Sequence, residues 1–112
     1  MNANTRQARH TIRTRTRTQR AAARINRRGN GSLTTHCLAA GLNPKEARTV
    51  ASSLRKAATK LGIQGQAGIA YRKGQARACT RYTPAQVAAL AVIYRPRKAA
   101  YQAAAARLAL AA

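Results

Sequence analysis

Most of the side chains in this sequence that could bind a ligand or react are cationic. The 112 residues include 22 Lys and Arg but only one acidic residue, Glu46, which gives a formal net charge of +21. Guanidinium and ammonium groups in such excess are suited to polyanions, because each can form charge-assisted hydrogen bonds with a phosphate. With so few acidic neighbours, these cations repel one another unless an anionic partner is bound. We therefore expect the partner to be a polyanion.

The scarcity of other reactive residues excludes several classes of protein. Catalysis by paired carboxylates needs two acids, and a carboxylate-bound Mg²⁺ or Ca²⁺ needs several, so Glu46 alone predicts that the protein is not an enzyme. His10, His36, Cys37 and Cys79 lack the CxxC or HxxxH spacing typical of zinc sites, and we expect no metal and no cofactor. The sequence also has no run of about 20 apolar residues, so we expect no membrane partner.

Five residues that attract functional interpretations also have plainer structural ones. We interpret Cys37 and Cys79 as small buried hydrophobic residues in a reducing compartment, and His36 as a surface residue beside them. Tyr71 and Tyr82 could stack on bases. Because the chain has no Phe or Trp, we expect them to supply bulk to the core instead.

Helix-capping signals position the basic residues in the middle of the chain. Ser32 is a favourable N-cap for a short helix that begins at Leu33 and stops at Gly41. Asn43 is a favourable N-cap for a second helix, and Pro44 suits its first position. Two helices separated by so short a glycine-containing turn are typical of a helix-turn-helix.

The second helix is predicted over Pro44–Leu61, with Glu46 closing a capping box and Gly62 at the C-terminal stop. Its apolar residues recur at helical spacing and predict a buried stripe: Ala47, Val50, Ala51, Leu54, Ala58 and Leu61. The opposite face is basic, with small hydroxyl residues between the charges. Such a face attracts phosphate and is narrow enough to enter a groove.

Two short segments around a basic glycine turn predict a β-hairpin. Residues 67–71 and 76–82 flank the turn at residues 72–75, Arg-Lys-Gly-Gln. Thr83 and Gln86 then form a second capping box, which predicts a helix after the hairpin. The apolar residues of that helix share one face: Val87, Leu90, Ala91 and Tyr94.

The order of helix, short turn, long helix, basic hairpin and capped helix resembles a winged helix-turn-helix domain. The segments that carry the resemblance are residues 37–42 (CLAAGL), 43–61, 61–63 (LGI) and 81–84 (RYTP). The resemblance implies that the long helix lies in the major groove of DNA and that the hairpin lies over the backbone or minor groove. It also implies that residues 18–28, although poor in apolar residues, supply the first helix of the domain.

We predict a mostly α-helical fold with a small β-hairpin, organised in three parts. Residues 1–28 hold nine arginines and no acid, and they alternate Arg and Thr over residues 11–18. Neither face of such an alternation is apolar, so we expect a flexible, disordered arm in which residues 18–28 alone could be helical. Residues 29–94 form the winged helix-turn-helix domain. Residues 95–112 form an alanine-rich C-terminal helix.

The C-terminal helix is also a candidate dimerisation element. One face of it is formed by Tyr101, Ala104, Ala105, Leu108 and Ala112. This face is too small for independent folding, so we expect it to pack on the domain or on a second copy of the chain. A homodimer is therefore possible.

The resemblance assigns roles to the basic residues. The residues expected to contact bases are Lys45, Arg48, Thr49, Ser52 and Lys56. The residues expected to contact phosphates are Arg55, Lys60, Arg72, Lys73 and Arg77. The arm adds salt-dependent affinity through Arg6, Arg9, Arg13, Arg15, Arg17, Arg20, Arg24, Arg27 and Arg28.

These roles predict a small, sequence-specific protein that binds double-stranded DNA, a transcriptional regulator of phage, plasmid or bacterial origin in the cytoplasm. Two alternatives stay open. Residues 2–9 are similar to the start of the arginine-rich RNA-binding peptides of lambdoid phage antitermination proteins, which implies an RNA-binding or RNA-polymerase-associated factor. The other is a protein that coats nucleic acid without sequence preference.

Overall fold

Helices make up most of the described residues, and one hairpin interrupts them. The computed structural model describes residues 3–110, apart from the side chain of Arg72; Asn2 and Ala112, which took part in two sequence predictions, lie outside the described residues. The elements are α1 (Ala3–Arg28), α2 (Leu33–Ala39), α3 (Pro44–Leu61), β1 (Gln66–Arg72), β2 (Gln75–Arg81), α4 (Pro84–Ile93) and α5 (Ala99–Leu110). The prediction of a mostly helical fold with a small β-hairpin is confirmed.

Capping interactions define the predicted helix starts. The Ser32 hydroxyl accepts a hydrogen bond from the Thr35 amide at 3.2 Å, and the Asn43 side chain accepts one from the Glu46 amide at 2.8 Å. At the start of α4, Thr83 and Gln86 form both hydrogen bonds of a capping box. Each cap satisfies amides that have no partner within their own helix, which explains why these boundaries were predictable.

The C-terminus of α3 closes in a Schellman motif. Gly62 adopts a left-handed conformation with φ of 70°, and the Ile63 amide donates to the carbonyl of Ala58 at 3.0 Å. At the other end of the helix, the carboxylate of Glu46, expected to close a capping box, lies 3.5 Å from the Lys98 ammonium. The helix therefore has the predicted boundaries, but its acidic residue contacts the C-terminal part of the chain.

The core lies where α2, α3, α4 and α5 meet. Its fully buried side chains include Cys37, Val50, Leu54, Val87 and Leu90. The predicted stripe of α3 is buried from Ala47 to Ala58, whereas Leu61 at its end is 47 % exposed. Leu61 was wrongly placed in the core, because the helix ends there and the chain turns away into the hairpin.

The hairpin is an antiparallel pair of seven-residue strands joined by Lys73 and Gly74. These two residues have φ values of 52° and 75°, as a two-residue type I′ turn requires. At the base of the hairpin, Gly31 and Tyr82 exchange backbone hydrogen bonds of 3.0 and 2.7 Å. This bridge ties the segment before α2 to the end of β2.

The predicted disorder of the N-terminal arm is wrong, because residues 3–28 form one continuous helix, α1. Its C-terminal half packs on α2, where Ala21 and Ile25 are buried. Arginine is among the better helix formers, and the hydroxyls of Thr11 and Thr14 donate to carbonyls four residues earlier, each at 3.0 Å. The C-terminal half of α1 is therefore held by packing on α2, and the helix continues from it through the Arg-Thr alternation of residues 11–18.

The C-terminal helix α5 packs on its own chain. Ala104, Ala105 and Leu108 are buried, mainly against α4. Arg107 donates to the carbonyl of Ala40 at 2.8 Å and so satisfies a backbone acceptor at the end of α2. The sequence predicted that this face packs either on the domain or on a second copy of the chain. In the structure it packs on the domain.

Candidate nucleic-acid interface

The exposed face of α3 carries every base-contact residue that the sequence predicted. Lys45, Arg48, Thr49, Ser52 and Lys56 are all exposed. They are held there because the other side of the same helix is buried against α2 and α4. By helical periodicity, Lys45, Ser52 and Lys56 lie opposite the centre of the buried stripe. This face is a straight row of cations separated by small side chains.

Two further cations flank this row. Arg55 lies on the Arg48 side and Lys60 on the other, and both are exposed, as expected for phosphate contacts. The hydroxyl of Thr49 donates to the carbonyl of Lys45 at 3.2 Å. Its hydrogen is therefore engaged, and the oxygen that remains toward solvent is an acceptor.

The single side-chain carboxylate of the protein lies at the edge of this face. Glu46 pairs with Lys98, whose ammonium also lies 5.0 Å from the centre of the Tyr101 ring. A cation from the C-terminal part of the chain thus offsets the one negative charge on α3. The face of α3 stays strongly positive as a result.

The hairpin presents cations at its tip and along one face. Lys73 and Arg77 are exposed, while the side chain of Arg72 lies outside the described part of the structure. Alternation along β2 places Arg77 and Arg81 on the same face. The Arg81 guanidinium folds back over β1 and donates to the carbonyl of Ile69 at 3.0 Å.

Tyr71 was expected in the core together with Tyr82, and this is wrong for Tyr71. Tyr82 is buried at the base of the hairpin, but Tyr71 is 78 % exposed. The outer part of the hairpin extends beyond the helices, so its side chains have no core to enter. The strand register pairs Tyr71 with Ala76, so its ring lies on the opposite face of the hairpin from Arg77 and Arg81. There the exposed ring is available for stacking on a base or a sugar.

Helix α1 aligns most of the arm arginines in one stripe. The spacing of three and four residues puts eight of the nine on one side of the helix, with Arg15 apart from them: Arg6, Arg9, Arg13, Arg17, Arg20, Arg24, Arg27 and Arg28. The two-residue alternation of residues 11–18 obscures this longer period in the sequence, and the stripe was not predicted. Counting the arginines at helical spacing over residues 6–28 would have found it.

The stripe is continuous with the face of the hairpin. Arg13, Arg17, Arg20 and Arg24 line one cleft beside Leu38 of α2. A second groove is lined by Arg24 and Arg28 together with Arg81 of β2. The α1 stripe and Arg81, at the base of the hairpin, therefore form one track, and no residue of α3 lines either groove.

His36 and Cys37 are both buried. The prediction that His36 lies at the surface is therefore wrong. His36 is 3 % exposed, and its Nε2 lies 2.7 Å from the carbonyl oxygen of Tyr82. Burial lowers the pKa of His36, while hydrogen bonds to the backbone of Tyr82 and Gly31 oppose this shift. Burial also raises the pKa of Cys37 to about 12. Both features suit packing rather than nucleophilic chemistry.

Cys79 is only half-buried, so the expectation of two buried thiols holds for Cys37 alone. Among residues 3–110, no group of three or more His, Cys or acidic side chains is placed to hold a metal ion. Over the same residues, no helix has the length and apolar character needed to cross a membrane.

No protein-family model matches the chain, and neither a curated protein nor a solved structure does so.

Proposed function

We propose that this protein is a sequence-specific DNA-binding protein of the winged helix-turn-helix class that acts as a transcriptional regulator. The observation that carries the proposal is the exposed face of α3. This face carries cations and small hydroxyl residues. The helix itself is capped at both ends, and its opposite face is packed in the core. Base readout needs such a combination, because hydrogen bonds to base edges require fixed side-chain positions.

The arrangement of the other elements supports the class. Four residues, Ala40 to Asn43, connect α2 to α3, and a hairpin with a basic tip follows α3. An isolated β-bridge joins Gly31 to Tyr82 beside the two-stranded hairpin. A first helix, a helix-turn-helix and a hairpin are the parts that support the winged-helix class.

In this proposal, the first two turns of α3 read bases. Lys45 and Arg48 are the candidates for guanine, since their side chains can reach the O6 and N7 acceptors. Arg55 and Lys60 contact phosphates beside the groove, and Lys73 and Arg77 hold the backbone under the hairpin. Tyr71 packs on the sugar or base that the hairpin reaches.

Selection of bound sequences from a random duplex pool tests the proposal. We expect one motif to be enriched, with a preference over random DNA of about 10³-fold or more. A pool without any enriched motif would overturn the proposal in favour of a protein that coats nucleic acid. Strong binding to one RNA hairpin with no binding to duplex DNA would favour the RNA-binding alternative.

Two single-charge variants of α3 then separate readout from backbone contact. Arg48→Gln should relax the preference at one base position by about 1–3 kcal/mol. Lys60→Gln removes the same charge near the other end of the helix, where we expect a phosphate contact. It should weaken all sequences alike and reduce the slope of log K against log salt by about 1. Equal effects of the two variants on the sequence motif would contradict the assigned roles.

A further inference from the structure

The arginine stripe of α1 has the dimensions of a backbone-binding surface. Arg6 to Arg28 spans roughly 33 Å at 1.5 Å per residue, so the eight arginines follow one another every 4–5 Å or so. A straight row of this length covers about one helical turn of duplex DNA, roughly 34 Å, so its arginines can reach phosphates of both strands where the backbones cross the row. Like charges at these spacings destabilise a helix by roughly 0.2–0.5 kcal/mol per pair. A bound phosphate strand reverses that repulsion.

Helix α2 contacts both α1 and α3, and the C-terminal part of α1 also lines a pocket with Arg107 and Leu108 of α5. The core side of α2 is formed by Leu33, Cys37 and Ala40. Thr35, on the other side of α2, lines a groove shared with α1, and Leu38, which also packs against the core, lines another. The three helices thus form a row in which α1 and the exposed face of α3 are at the two ends. With helix-to-helix spacings of about 8–10 Å, the axes of α1 and α3 are separated by up to roughly 20 Å.

The stripe is open to a ligand at its side of this row. By helical periodicity, the arginines lie about a quarter turn around α1 from Ala21 and Ile25, which contact α2. The stripe therefore faces sideways, toward the groove where Arg24 and Arg28 meet Arg81. A straight, rigid duplex seated along α3 does not pass over this track, since α2 and the core lie between them.

We propose that the α1 stripe, extended by Arg81, binds the phosphate backbone of a second duplex, so that one molecule holds two DNA segments together. The proposal takes from the proposed function only that α3 holds the first segment. The stripe binds without sequence preference, because guanidinium contacts to phosphates carry no base information. The protein then both recognises a site and links it to another stretch of DNA.

A bridging assay with the full chain tests this proposal. One duplex of random sequence is immobilised, and recovery of a second, fluorescent duplex is measured against protein concentration at fixed salt. The triple variant Arg13→Gln, Arg20→Gln, Arg24→Gln should reduce recovery of the second duplex by about tenfold or more. The motif selected by α3 should be unchanged in this variant. The variant Lys45→Gln, Arg48→Gln, Lys56→Gln should also bridge poorly, yet still bind a single duplex through α1.

A charge-neutral rearrangement provides the matched control. Exchanging Ile12 with Arg13, Gln19 with Arg20 and Ala23 with Arg24 keeps the composition and net charge but moves three arginines off the stripe; all six residues are exposed. Bridging should fall in this variant as well. Wild-type bridging by either α1 variant, or no recovery of the second duplex by the wild-type protein, would overturn the proposal. Loss of the selected motif alone would instead count against the proposed function.

Discussion

The core helices and the peripheral elements both carry cations, but different forces hold them in place. Helix α3 is capped at both ends, and Val50 and Leu54 on its inner side are fully buried. In α1, residues 3–13 are all exposed, and the buried residues Ala21 and Ile25 lie in its C-terminal third. The outer part of the hairpin is likewise exposed. Burial therefore determines the position of α3, whereas the first half of α1 depends on helix propensity.

In the proposed DNA-binding function, this difference corresponds to a division of roles between the elements. Base readout fails when a side chain is displaced by about 1 Å, so it belongs on the packed helix. Phosphate contacts tolerate movement because Coulomb attraction falls slowly with distance, so they can be made by α1 and the hairpin. Four pairs of residues, each with one member in the core or in a core helix and one at the periphery, test how far this contrast extends.

The largest contrast is expected between the two thiols. Burial raises the pKa of Cys37 from 9.0 to about 12, so its thiolate population is about a thousandfold lower than that of an ordinary thiol. Cys79 on the hairpin is half-buried. Native protein at pH 8 should lose Cys79 to a thiol reagent while Cys37 stays intact, as followed by mass spectrometry. Both should react in denaturant, and rapid native modification of Cys37 would show that the core opens easily.

Truncating an aliphatic side chain should separate the regions in stability. Leu54→Ala removes a fully buried side chain and should lower the free energy of unfolding by about 2–5 kcal/mol. Ile12 on α1 is 62 % exposed, and Ile12→Ala should change it by less than about 0.5 kcal/mol. Urea denaturation measures both. A large loss of unfolding free energy in Ile12→Ala would mean that Ile12 is packed against another surface and that the first half of α1 is not peripheral.

Removing a local hydrogen bond should also affect the two helices unequally. Asn43→Ala deletes the cap of α3 and should cost about 1 kcal/mol. Thr11→Ala deletes a hydroxyl that bonds within α1, but alanine is the better helix former, so stability should be unchanged or slightly higher. Thermal unfolding followed by circular dichroism compares them. Equal losses would indicate that α1 is as firmly held as α3.

The smallest expected contrast is between the two histidines, His36 and His10, in their effect on the free energy of unfolding. Unfolded histidine titrates near pH 6.5, and burial lowers the pKa of folded His36, so the unfolded chain binds more protons below that pH. The stability that comes from neutral His36 is complete above about pH 7 and is lost as the pH falls below about 6.5. His36→Gln should flatten this part of the profile. The control His10→Gln, on exposed α1, should change the unfolding free energy at pH 7 by less than about 0.5 kcal/mol.

Much of the middle of the fold was predictable because its signals are local. A cap such as Ser32, Asn43 or Thr83 acts on an amide three residues away, so sequence spacing alone reveals it. The Lys73-Gly74 turn is local in the same way. The exposed face of α3 then follows from helical periodicity, which explains why all of its predicted residues are exposed.

The misplaced residues depend on contacts that are distant in sequence. His36 is buried because the Gly31–Tyr82 bridge brings a carbonyl from 46 residues away against its ring. Tyr71 is exposed because the hairpin extends past the helices, which no local pattern indicates. Disorder was predicted for α1 on the basis of charge repulsion, and the docking of Ala21 and Ile25 on α2 was not visible in so apolar-poor a segment.

The sequence by itself determined the charge, the class of partner expected and the boundaries of the capped helices, since composition and short-range spacing suffice for these. Only the tertiary structure decided that α1 packs on α2, that its arginine stripe joins the face of the hairpin, and that α3 lies on the other side of α2. These are relations between surfaces far apart in the chain. They arise because a small set of buried side chains satisfies the apolar faces of several helices at once.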